Sequence, residues 1–176
     1  MLVEIPLLDA ILDTHSAALG EDFHRYRNHA YRVANFHWLL GPGAPADVEI
    51  VAVAVGFHDL GLWTANTFDY LAPSERLATD FLHARGQAHL APLVVAMIDH
   101  HHQLSRVEAA DPRIERFRQA DWIDVSAGLR RFGLAADQLA RVKACFPYLG
   151  FHRRLLRFAL HHALRHPLDP LPMFKR

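Results

Sequence analysis

Apolar positions along the chain recur at helical spacing, and no run of strict alternation is long enough to argue a sheet. A first helix is predicted over about 6 to 19, stopping at Gly20. The second, roughly 22 to 40, has an apolar stripe through Tyr26, Ala30, Val33, Phe36 and Leu40 and is closed by the turn cluster GPGAP. Asp47 is placed to cap a third helix of about 48 to 59, with Val48, Val51, Ala52 and Val55 inward and Gly61 just past its end. LWTANTFDYLAP then reads as a loop, and loops of that length in compact domains often carry function. Ser74 or Pro73 opens a helix bearing Leu77, Ala78 and Phe81, which Gly86 ends. Leu90, Leu93, Val94, Met97 and Ile98 mark the next, which runs into His100, His101 and His102. Asp111 followed by Pro112 is an N-cap and a first-turn proline, starting a helix to about Gly128 with Ile114, Phe117 and Val125 inward. A last amphipathic helix covers about 147 to 166, and the tail PLDPLPMFKR is proline-interrupted and extended. The pattern predicts an all-α fold and a single domain over residues 1–176.

Composition narrows the partners. Lys plus Arg and Asp plus Glu are equal, 19 against 19 in 176 residues, so no global basic field recruits a nucleic-acid polymer or a membrane. Cys145 is the only cysteine, which excludes an internal disulfide and suits a reducing compartment. The N-terminal MLVEIPLLDAILD has acids and a proline where a secretory signal needs a basic start and an apolar run, and no segment approaches the ~18 apolar residues of a membrane span. The expectation is a cytoplasmic protein, with homo-oligomerisation open. The 14 histidines are the one oddity, and their placement decides whether they matter.

Residues three and four apart share a helix face, so an ionisable group at that spacing from core positions points inward. His29 lies three after Tyr26 and four before Val33; His58 lies three after Val55; His101 lies four after Met97; Asp121 lies four after Phe117 and four before Val125. Asp59 follows His58 directly. About one His-Asp dipeptide is expected by chance, so the pair means little alone. A lone histidine on such a face is more often a hydrogen-bonded core residue than a ligand. A mid-helix carboxylate such as Asp121 is harder to explain without a cation, and imidazoles and carboxylates converging from several helices are a standard way to hold a divalent metal. The metal would make Asp59 and Asp121 tolerable.

The order NHAYRVANF, FHDLG, MIDHHH, QADWIDV resembles the HD-domain superfamily of metal-dependent phosphohydrolases, over roughly residues 22 to 128. The resemblance implies an HD-domain helical bundle with a central metal site whose ligands are His29, His58, Asp59 and Asp121. Binuclear members carry a further histidine on the helix after the His-Asp pair. The segment here begins PSERLA, offering Ser74 and Glu75 with His83 late on the helix, so one divalent ion is expected. The Gly-Tyr-Pro element of cyclic-dinucleotide phosphodiesterases is absent after the paired histidines. Leu62 and Trp63 stand where stringent-response hydrolases have Glu-Asp, and Leu62 also stands where 5′-deoxynucleotidase-like members have Glu. No named substrate carries over.

Two imidazoles and two carboxylates leave about two open positions on a six-coordinate ion, which suits Mn, Fe, Co, Ni or Mg. The expected function is hydrolysis of a small phosphate ester, plausibly a nucleotide, by metal-activated water. Candidates for protonating the leaving group are Glu75, Asp69, His100 and His101, by position only. For Glu75 a helix-start carboxylate is an even alternative, and for Asp69 and His102 a solvated loop is favoured. Arg25, Arg32 or Arg106 could hold phosphate, and Trp63 could stack on a substrate or cover the core. Alternatives are a hydratase or lyase like the cyanamide hydratases, a di-iron oxygenase, and a non-catalytic ligand-binding module.

Overall fold

In the computed structural model, which describes residues 1–41 and 43–167, all regular structure is helical. In chain order the helices are α1 (Pro6–Thr14), α2 (Ser16–Leu19), α3 (Phe23–Leu40), α4 (Pro45–Phe57), α5 (Gly61–Thr64), α6 (Leu71–Ala84), α7 (Ala91–His100), α8 (Pro112–Val125), α9 (Ala136–Cys145) and α10 (Phe151–Arg165). Short 3₁₀ turns lead into α3 and α7. None of the described helices is long and apolar enough to cross a membrane. The tail expected to be extended lies outside the described residues beyond Pro167.

The bundle is built on α3, which packs along α8, with α4 and α7 beside them and α6 and α1 outside. In α3 the stripe from Tyr26 to Phe36 is fully buried. In α4 the inward positions are not a stripe: Val51 through Val55 are all buried, so this helix is surrounded and its sequence is apolar all round. It begins at Pro45, earlier than expected. Asp47 is therefore inside the first turn, where its carboxylate accepts from the Ala44 N–H at 2.9 Å, rather than being the cap residue itself. Asp111 does cap α8, accepting from the Arg113 N–H at 2.9 Å.

Three expectations need correction. The first helix breaks at His15 into α1 and α2. The loop after Gly61 is shorter than expected, because α5 takes its first turn and α6 starts at Leu71, with Pro73 inside the helix. Helix α9 had no counterpart in the pattern: only Leu139 and Val142 of its ten residues are buried, too few to make a stripe. Gly61 sits where any Cβ would come within 2.4 Å of the Tyr70 carbonyl, and its N–H donates to Ser74 Oγ at 3.0 Å. The FHDLG turn is thereby held against the start of α6.

His37, buried on α3, supplies a test of the packing that does not involve the site. Burial, and then the nearby Arg116, push its pKa down to about 4. The unfolded chain binds this proton below about pH 6.5 and the folded chain does not, so stability falls as pH drops from 6.5 toward 4. Replacing His37 by Leu is expected to remove about 2–3 kcal/mol of that loss, read as a flatter denaturation-midpoint profile between pH 7 and pH 4.

Candidate metal centre

His29 from α3, His58 and Asp59 from the end of α4, His101 from the end of α7 and Asp121 from α8 meet in the middle of the bundle, none more than 2% exposed. His29 Nε2 lies 2.9 Å from His58 Nε2. From His29 Nε2 it is 3.5 Å to Asp59 Oδ2 and 3.7 Å to Asp121 Oδ1; from His58 Nε2 the same oxygens lie at 3.6 and 3.8 Å. His101 Nε2 is 3.3 Å from Asp59 Oδ1. Asp59 thus belongs to two overlapping donor sets, His29–His58–Asp59 and Asp59–His101–His102.

The far side of each ring fixes what the near side offers. His29 Nδ1 lies 2.6 Å from Asp124 Oδ2, His58 Nδ1 3.0 Å from the Val55 carbonyl, and His101 Nδ1 2.5 Å from the Ile98 carbonyl. Each partner is an acceptor, so each Nδ1 donates and each neutral ring turns an Nε2 lone pair into the cluster. Two such lone pairs 2.9 Å apart repel unless a cation or proton lies between them. Asp59 Oδ1, His101 Nε2 and both oxygens of Asp121 are buried without a hydrogen bond. That is costly for carboxylates, and a divalent ion relieves it. The donor chemistry therefore fits a metal.

Without an ion, protons are the only available counter-charge. Burial opposes charging His29, but the Asp124 and Asp59 carboxylates outweigh it and push its pKa up to about 9. Burial, with His29 and His101 nearby, pushes His58 down to about 3. Asp121 is pushed up to about 7 by burial against the pull of His101 and His29. The cluster holds protons where a cation would sit, so metal binding releases them and strengthens as pH rises.

Asp124, which the sequence reading passed over, anchors the arrangement. It lies three residues after Asp121 on the same face of α8, a spacing that could have flagged it. Its carboxylate accepts from Arg32 Nε at 2.5 Å and Nη2 at 2.9 Å as well as from His29. Burial raises its pKa, yet Arg32 and His29 outweigh this and hold it down at about 2. Arg32 is itself fully buried and also donates to the Phe146 carbonyl at 3.0 Å, so it orients a ligand's partner rather than meeting a substrate.

The remaining candidates scatter. His102, read as a loop residue, is buried instead: its Nε2 lies 2.5 Å from the Tyr70 hydroxyl and its Nδ1 3.5 Å from Asp121 Oδ2. His100 turns away to Gln103 Oε1 at 2.9 Å. Asp69 is exposed, and Glu75 is half-buried on α6. Arg25 pairs with Asp22 at 2.7 Å, Trp63 donates to Asp22 at 3.1 Å, and exposed Arg106 borders a hollow that none of the cluster residues lines. A cavity of about 340 Å³ reaches the cluster at Asp59 and His102 and is walled mainly by Leu62, Phe68, Tyr70, Trp122 and Leu155. Part of that wall, Leu62, Phe68 and Tyr70, comes from the 62–72 segment. No protein-family model matches the chain, and neither a curated protein nor a solved structure matches it.

Proposed function

We propose that the chain is a metal-dependent hydrolase of the HD-domain type that attacks a small phosphate ester with metal-activated water. The observation that carries the reading is the inward convergence of the His29, His58 and His101 Nε2 atoms on the Asp59 and Asp121 carboxylates, three of whose four oxygens make no hydrogen bond. When bound, a divalent ion supplies Lewis-acid chemistry, lowering the pKa of a coordinated water and polarising a phosphoryl oxygen. His29 is held for this by Asp124, His58 by the Val55 carbonyl and His101 by the Ile98 carbonyl. His102 is the one of the MIDHHH histidines that borders the cavity; burial keeps its imidazole neutral and Tyr70 fixes its ring, so it is proposed to orient the substrate or the attacking water rather than to protonate a leaving oxygen, and Asp69, Glu75 and His100 do not line the cavity.

The cavity bears on the substrate. No lysine or arginine among the described residues lines it, so phosphoryl charge falls to the ion, and the walls favour an apolar alcohol over a nucleotide. The same lining favours, as a second reading, hydration of a small uncharged nitrile-like carbon. Turnover of aryl and alkyl phosphates, nucleoside monophosphates and cyanamide, each with and without chelator, separates these. Chelator-sensitive hydrolysis of an apolar phosphate ester is expected; chelator-sensitive turnover of cyanamide alone would put the hydratase reading first, and turnover that ignores chelator would rule out both.

A further inference from the structure

A second concave site lies across α10 from the cavity. Arg25, Arg153, Arg154 and Arg157 border a hollow of about 500 Å³ together with Trp63, Glu21 and Asp22. Asp22 is buried and its carboxylate is fully engaged: it accepts from Arg25 at 2.7 Å, Arg154 at 2.7 Å and the Trp63 indole at 3.1 Å. Its charge offsets about one guanidinium and fixes two of them in place, so less side-chain freedom remains to be lost on binding. Arg153 and Arg157 are exposed and make no ion pair among the described residues. The rim also includes Gly150, in the left-handed conformation at φ 84°, at the start of α10. That helix has no side-chain cap and no acid in its first turn. Four arginines against two acids leave an excess of positive charge in a concavity, which is unusual in a chain whose total charge is zero.

We propose that this hollow is a binding site for a compact polyanion carrying a diphosphate or longer phosphate chain, separate from the candidate metal centre. Planar guanidiniums at fixed positions suit bidentate contact with phosphate oxygens. The same helix that presents Arg153, Arg154 and Arg157 contributes His152, Leu155 and Leu156 to the wall of the apolar cavity. A ligand in the hollow therefore contacts the helix that forms one wall of the other site.

Isothermal titration of inorganic pyrophosphate into the full chain, at low ionic strength and in chelator so that the metal centre takes no part, tests this. Saturable binding is expected, weakened about tenfold or more by Arg153→Glu with Arg157→Glu. The control pair Arg76→Glu with Arg85→Glu makes the same charge change on the exposed surface of α6 and beyond, and should leave binding within about twofold. A parallel titration with ADP identifies the source: tighter binding than pyrophosphate assigns a nucleotide with its base against Trp63, and equal binding assigns the phosphate chain alone. Absence of pyrophosphate binding, or equal weakening by both variant pairs, overturns the proposal, as would capture by anionic vesicles of a protein that ignores pyrophosphate.

Discussion

Replacement of Asp124 by alanine is expected to destabilise the protein by about 3–5 kcal/mol, the range for removing one partner of a buried ion pair. Asp124 is fully buried and takes two hydrogen bonds from Arg32 and one from His29. Without it the Arg32 guanidinium keeps the Phe146 and Pro147 carbonyls and the face of the Tyr148 ring, but no carboxylate offsets its charge in the interior. The second consequence is chemical. His29 loses the acceptor that holds the proton on Nδ1, and loss of such a partner typically costs 10–100-fold in metal affinity. Chemical denaturation and a metal titration read the two effects separately. Asp124→Asn keeps the shape but not the charge and should show the same pattern more weakly. A destabilisation under about 1 kcal/mol would mean that Arg32 finds another anion and that the Asp124 network is dispensable.

Asp121→Asn is expected to act with opposite signs on the metal-free and metal-loaded protein. In the metal-free fold, burial raises the Asp121 pKa to about 7, far above its value in the unfolded chain. The folded state therefore holds a proton that the unfolded state has lost between about pH 4 and 7. The stability associated with that proton is fully present below pH 4 and is lost as pH rises through 7. Asparagine needs no proton, so metal-free Asp121→Asn should be more stable than the metal-free parent at pH 8, by up to a few kcal/mol, and equal to it near pH 4. With metal the order reverses, because the ion stabilises the parent by RT ln(1 + [L]/Kd) and the variant binds it poorly. Thermal unfolding of both proteins with chelator and with excess metal gives the four values required. A variant less stable than its parent in chelator would show that Asp121 is an ordinary hydrogen-bonded core residue.

Much of this arrangement was legible because helix periodicity is a local signal. His29, His58, His101 and Asp121 each stood at three- or four-residue spacing from core positions, and their convergence required only that the stripes share one core. The apolar stripe of α3 and the Asp111–Pro112 start of α8 were equally local. What escaped depended on tertiary partners. Arg32 looks like a surface arginine until Asp124, 92 residues away, accepts its guanidinium. His102 sits at the end of a helix, and its burial follows from tertiary partners, the Tyr70 hydroxyl 32 residues earlier in the chain and the Asp121 carboxylate on α8. Helix α9 buries two side chains and leaves no periodic trace, and the extent of α5 and α6 follows from the close approach of Gly61 to the Tyr70 carbonyl, which propensity does not encode.

Elemental analysis of the protein as purified, repeated on His58→Ala and Asp121→Asn, tests the metal centre most directly. The expected result is a divalent transition metal or magnesium at one equivalent per chain, absent from both variants while their circular dichroism remains helical. Two equivalents would add the Asp59–His101–His102 set to the ligands and favour the binuclear or oxygenase alternatives. A protein that carries no metal, gains none from excess Mn, Fe, Co, Ni or Mg, and unfolds at the same temperature with and without chelator would contradict the metal centre outright.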